Sequence, residues 1–87
     1  MNAVYFAKQV KAEAMQAIES RDMAALKFDI VNAVAMKKSK VEVITTLPIS
    51  SLVTNALDDE GITVLFDNVT SEGTTFTTFD LTGLEMQ

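Results

Sequence analysis

VEVITTLPISSLVTNALDDEGITVLF, residues 41–66, decides the fold of this chain. Its opening Val41-Glu42-Val43-Ile44-Thr45-Thr46 is β-branched at all but one position and mostly apolar, which suits a strand buried on one face and partly covered on the other. Pro48 resets the pattern. Ile49, Leu52, Val53, Ala56 and Leu57 then follow the i, i+3, i+4, i+7, i+8 series of a short amphipathic helix, with Pro48 accommodated in its first turn and Gly61 placed for a left-handed stop. Ile62-Thr63-Val64-Leu65-Phe66-Asp67 returns to strand character. A strand, a helix and a strand of these lengths most economically form a right-handed parallel crossover.

Downstream of this unit, Asn68 to Gly73 reads as a polar turn into a Thr-rich strand, Thr74 to Leu81, and so short a connection implies an antiparallel hairpin. Upstream, the first forty residues are rich in Ala, Met, Lys, Gln and Glu and contain neither Gly nor Pro, so they favour helix throughout. Phase decides how many helices they make. At about 100° per residue, Phe6, Val10, Ala14, Ala17 and Ile18 form one stripe and Met23, Leu26, Ile30, Ala33 and Val34 another, roughly 150° away. A break near Glu19-Ser20-Arg21-Asp22 repairs the phase, with Ser20 or Asp22 capping the second helix. Separate helices over 3–19 and 22–38 are expected, against the alternative of one continuous helix with a wide apolar face. The chain thus reads as a single small domain, 1–87, with a helical region over 3–38 and a βαββ unit over 41–81. Its class is α+β with an α/β-like crossover, in the order ααβαββ, and its three-stranded mixed sheet has helices packed on it. Val41, Val43, Ile44, Leu52, Val53, Leu57, Val64, Phe66 and Phe76 are the expected core.

Charge divides the chain at the same boundary. All seven Lys and Arg lie at or before Lys40 and face four acids there, giving +3, whereas residues 41–87 carry eight carboxylates and no base, for a total of −5. The acidic balance argues against nucleic acid as a partner. No apolar run approaches the 18 or so residues of a membrane span, and the N-terminus lacks the basic-then-apolar pattern of a signal peptide, so neither a membrane partner nor signal-directed secretion is expected. Without cysteine there is no disulfide to reinforce so small a core, which favours help from neighbouring copies.

The chemistry of sites is sparse. His, Cys and Trp are all absent, so the commonest general base, the strongest nucleophile and the best metal ligands are missing. Ser20, Ser39, Ser50, Ser51 and Ser71 have no imidazole to activate them, and single glycines make no phosphate-cradling loop. Asp58-Asp59-Glu60 offers three acids in a row but not the alternating spacing of a calcium loop. No catalytic, cofactor-binding or metal-binding residue is assigned, no cofactor is expected, and the chain is read as no enzyme.

Interface residues are easier to name. Tyr5 and Met15 lie outside what a narrow buried stripe needs, and with Phe6 they suit an adaptable contact, against the alternative of ordinary core packing. Lys37 and Lys38 complement a helix C-terminus, whereas Asp58, Asp59 and Glu60 oppose one; the acids read either as a solvated helix end or as the match for a basic partner surface such as Lys37 and Lys38 of another copy.

The succession of N-terminal helices, the VEVITT segment, a helix from Leu52-Val53 to Leu57 ending at Gly61, then Ile62-Thr63-Val64 and a final strand resembles small αβαββ proteins of tailed bacteriophages. That resemblance implies a small virion component, such as a capsid decoration or cement protein or an appendage subunit, made in the host cytoplasm and located in the virion. The expected function is therefore that of a non-enzymatic structural protein acting through contacts with other copies of itself and with a larger assembly. The alternative is a small phage-encoded intracellular regulator or inhibitor that binds a host factor or small ligand, with Arg21, Thr46 and Asn55 as the polar groups of its pocket.

Overall fold

The structure, a computed structural model, describes residues 2–84. One 33-residue helix, α1 (Ala3–Ala35), is followed by strand β1 (Lys40–Thr45), helix α2 (Ser51–Asp59), strands β2 (Thr63–Val69) and β3 (Thr75–Asp80), and a turn of 3₁₀ helix at Thr82–Leu84. The class is α+β, as the sequence indicates.

The expected break at residues 19–22 does not occur, and the single-helix alternative is the one adopted. The phase mismatch is real, but burying both stripes is not how the chain resolves it. Glu19-Ser20-Arg21-Asp22 contains no residue that stops a helix, so the helix continues and only the second stripe is buried, through Leu26, Ile30 and Ala33, while Val34 stays exposed. Asn2 caps its start, its side-chain oxygen accepting from the backbone N–H groups of Val4 at 2.9 Å and Tyr5 at 3.2 Å. At the other end the helix closes in a Schellman motif, in which Lys38 N–H donates to the carbonyl of Ala33 and Lys37 N–H to that of Val34. Lys37 occupies the left-handed position there, at φ 59°, where glycine is usual.

The sheet corrects a second expectation. Its order is β1-β3-β2 and both pairings are antiparallel, so it is antiparallel throughout rather than mixed. β1 and β2 still run in the same direction around α2, but β3 is inserted between them and they share no hydrogen bonds. The β2–β3 hairpin is formed as read. Its returning strand pairs on both sides, which places all its backbone groups in antiparallel ladders, the slightly more stable arrangement. The Thr-rich strand is therefore central, with Thr75, Thr77, Thr78 and Phe79 buried. Leu65 is the extra residue of an irregularity in the β2 ladder between Val64 and Phe66.

Register divides the sheet into two faces. Val41, Val43 and Thr45 share one with Thr75, Thr77 and Phe79; Glu42 and Ile44 share the other with Phe76 and Thr78. Both helices serve the first face. Leu26, Ile30 and Ala33 of α1 meet Val43, Ile62, Phe79 and Leu81 in one core, with Met23, Val41, Ile49, Val53, Leu57, Val64 and Leu84 around it. Ile44 and Phe66, expected in the core, are exposed because no helix covers the second face, and Leu52 is exposed on the outer side of α2. Ser50 rather than Pro48 marks the start of α2, its hydroxyl accepting from Leu52 N–H at 3.1 Å.

Gly61 ends α2 at φ 93°, and Ile62 N–H donates to the carbonyl of Leu57, the same motif that closes α1. Here glycine is required twice over. The backbone of Gly83 packs so closely that a Cβ on Gly61 would stand 2.5 Å from the Gly83 carbonyl oxygen.

Candidate protein interface

α1 is longer than the sheet it covers. Residues 3–17 are all exposed, Ile18 is half-buried, and Asp22 is the first buried residue of the helix. The described chain measures 59 × 27 × 21 Å, and its radius of gyration, 15.9 Å, exceeds the roughly 12 Å of a compact domain this size. The projecting N-terminal half accounts for that elongation.

Asp22 fixes where the helix meets the sheet. Its carboxylate accepts from the backbone N–H of Thr46 at 2.9 Å and of Leu47 at 3.1 Å, while Thr45 Oγ1 donates to the Leu47 carbonyl at 2.7 Å. The residue expected to cap a second helix instead caps the turn that follows β1. Beside it, a cleft of about 280 Å³ is lined by Met15, Glu19, Asp22, Met23, Pro48 and Val53 among others. Arg21, Thr46 and Asn55, the polar groups of the pocket sketched from the sequence, are not part of its lining.

The uncovered surface of α1 carries apolar side chains among its charged ones. Tyr5, Phe6 and Met15 are exposed, as are Val4 and Val10. Phe28 and Val31 are exposed too, within the segment that packs on the sheet, and sequence reasoning missed both. With Ala24 and Ala35 they line a shallow groove on the outer side of the helix. At about 100° per residue, Ala24, Phe28, Val31 and Ala35 continue the stripe of Phe6, Val10 and Ala17, and they stand about 180° from Leu26, Ile30 and Ala33. Plotting residues 3–35 as one helix rather than two would have revealed them. One largely apolar stripe, interrupted by Glu13 and Arg21, thus runs along α1 on the side away from the sheet.

The other proposed interface residues are dispersed. Lys37 and Lys38 form the turn after α1 and, with Ser39, Leu81 and Thr82, border a wide depression at that end of the domain. Asp58 accepts from Thr63 Oγ1 at 3.0 Å, which ties the end of α2 to the start of β2, and Asp59 and Glu60 are exposed. The acids of α2 are thereby partly explained within the chain. Asp80, paired across the sheet with Lys40, accepts from both the N–H of Thr82 at 2.9 Å and its hydroxyl at 2.8 Å. Those two hydrogen bonds, then the nearby Lys40 charge, hold its carboxyl below the usual carboxylate range.

Among the described residues, no group of three His, Cys, Asp or Glu is placed to hold a metal ion, and no helix is long and apolar enough to cross a membrane. Fold and surface together define a small α+β domain bearing a projecting helix with an apolar outer stripe. Compared with protein-family models, curated proteins and solved structures, the chain matches none.

Proposed function

We propose that this chain is a non-enzymatic structural subunit that works through protein–protein contacts made by α1. The observation that carries the reading is the uncovered apolar stripe. A helix that supplies one face to its own core and carries Phe6, Val10, Phe28 and Val31 on the opposite face is built to be covered on both sides. The absence of His and Cys from the sequence supports the same reading, since a contact surface needs neither. The assembly it serves is proposed, from the sequence resemblance, to be the virion of a tailed bacteriophage, where the chain would decorate, cement or extend a larger shell.

Quantitative mass spectrometry of purified particles tests this. A structural subunit is present in many copies per particle, and Phe28→Glu, which places a charge on the stripe without touching the core, strongly reduces its incorporation. Absence from particles of a chain made abundantly in the infected cell would overturn the reading.

A further inference from the structure

We infer that the outer stripe of α1 binds a second copy of the same helix, antiparallel, about a twofold axis passing through Ala17. This rests on the structural-subunit reading and names its first partner and the register of the contact.

The register is written in the spacing of the stripe. Its positions are Ala3, Phe6, Val10, Glu13, Ala17, Arg21, Ala24, Phe28 and Val31, all on the exposed side of the helix. From Ala17 the steps are four, three, four and three residues towards the N-terminus, and four, three, four and three towards the C-terminus. The spacing is palindromic, which is what an isologous antiparallel helix pair requires, since each position of one copy must face its mirror position in the other. Averaged over the eight steps it is about 3.5 residues, the period at which two helices stay in contact along a left-handed supercoil.

The side chains match as well as the spacing. In this register Ala17 faces Ala17 of the other copy, and Glu13 of each copy faces Arg21 of the other. Val10 faces Ala24, Phe6 faces Phe28, and Ala3 faces Val31. Both charges that interrupt the stripe are therefore neutralised by opposite charges, twice over. A parallel pair in register would set Glu13 on Glu13 and Arg21 on Arg21, juxtaposing like charges at both layers. Alanines at 3, 17 and 24 let the helices approach closely, and large side chains meet small ones or other aromatic rings.

Area and access both allow it. Phe6 is 50% and Phe28 70% exposed, so with about 200 Å² per ring the four phenylalanines of a pair offer on the order of 500 Å² to bury. Val10, Val31 and the alanines of both copies bring the upper limit to roughly 1,200 Å², the lower end for a stable specific interface. Each sheet lies on the side of its own helix opposite the stripe, against Leu26, Ile30 and Ala33, and does not obstruct the pairing.

Charge swapping tests the register. Sedimentation equilibrium should show the native chain as a dimer. Glu13→Arg and Arg21→Glu, both exposed positions, should each weaken it about 10- to 100-fold by turning two attractive layers repulsive. An equimolar mixture of the two variants should recover native affinity as a heterodimer, because every layer then pairs opposite charges. Circular dichroism of each variant must show native helix content, and recovery in the mixture itself demonstrates that both have folded. Because the chain lacks cysteine, Ala17→Cys should cross-link to itself with a short bis-maleimide, whereas Val10→Cys should cross-link only when mixed with Ala24→Cys. A native chain monomeric at 100 µM-scale concentration (~0.1 mM, far above the Kd expected of such an interface), variants that dimerise unchanged, or efficient self-cross-linking of Val10→Cys would overturn the inference. Particle content separates it from the broader reading: a monomeric chain abundant in particles sinks the dimer alone, and a dimer absent from particles sinks the structural role alone.

Discussion

Substituting Asp22 by alanine removes the carboxylate that joins the middle of α1 to the end of β1. Asp22 is only 7% exposed, and its two oxygens accept from Thr46 N–H at 2.9 Å and Leu47 N–H at 3.1 Å. Hydrogen bonds to a charged group contribute about 1.5–3 kcal/mol each. Thr46 and Leu47 are themselves exposed, so water reaches part of what the carboxylate leaves behind, and the expected loss for the pair is about 2–3 kcal/mol. For a domain of this size about 1 kcal/mol moves the melting temperature by 4–8 °C, which places Asp22→Ala roughly 10–20 °C below the native chain. Asp22→Asn separates the hydrogen bonds from the packing. Its amide is nearly isosteric but offers one acceptor oxygen and turns a donor towards the other N–H, so it should lose about 1–2 kcal/mol. Urea unfolding followed at 222 nm measures both. A loss under about 0.5 kcal/mol for the alanine variant, or an asparagine variant as stable as the native chain, would refute the claim that this carboxylate anchors the helix.

Four further substitutions probe the ends of elements. Gly61→Ala forces a Cβ into a positive-φ position and against the Gly83 carbonyl, and urea unfolding should show a loss of about 2–3 kcal/mol. Combined with Gly83→Ala it should cost less than the sum of the two, because one close approach is being relieved. Lys37→Gly removes left-handed strain from the turn after α1 and should stabilise by about 0.5–1 kcal/mol in the same assay. Asp80, whose folded pKa lies below its ordinary 3.8, contributes stability that is fully present above that ordinary value and is lost as the pH falls through the lower folded one. Asp80→Asn should therefore flatten the acid limb of a stability-versus-pH curve.

What could be read from the sequence was local. The period of Ile49 to Leu57, the stop at Gly61 and the hairpin after Val69 each depend on neighbours within a few residues, and each formed. Long-range pairing was harder to see. Nothing in Thr75-Phe76-Thr77-Thr78-Phe79 says whether a β-branched polar strand lies at an edge or at the centre, because threonine fits a pleated surface whether that surface is covered or open. Asp22 looked like a helix cap for a similar reason: its side chain was certain to find free N–H groups, but those belong to residues 46 and 47, more than twenty positions away. The phase shift near residue 20 was correctly located and given the wrong cause. It marks the point where one helix passes from projecting into solvent to packing on a sheet. Tyr5, Phe6 and Met15 signalled the projecting surface, while Phe28 and Val31 were hidden by dividing the helix in two.

The projecting half of α1 has an energetic consequence of its own. Starting a helix costs about 4 kcal/mol, but here the turns packed on the sheet supply the nucleus, so residues 3–17 only propagate it, at a gain near zero to a few tenths of a kcal/mol each. Such an arm is helical yet close to balance and frays from Asn2 inward when alone. Packing the outer stripe against a second helix adds contacts along its whole length and shifts that balance. Amide exchange then distinguishes the two halves of one helix: protection of residues 6–17 should rise with protein concentration, while Leu26 to Ala33, held by the domain core, should exchange at nearly the same slow rate throughout. Protection that is independent of concentration in the arm would mean that the helix stands without a partner copy, and that its apolar side chains wait for a different surface.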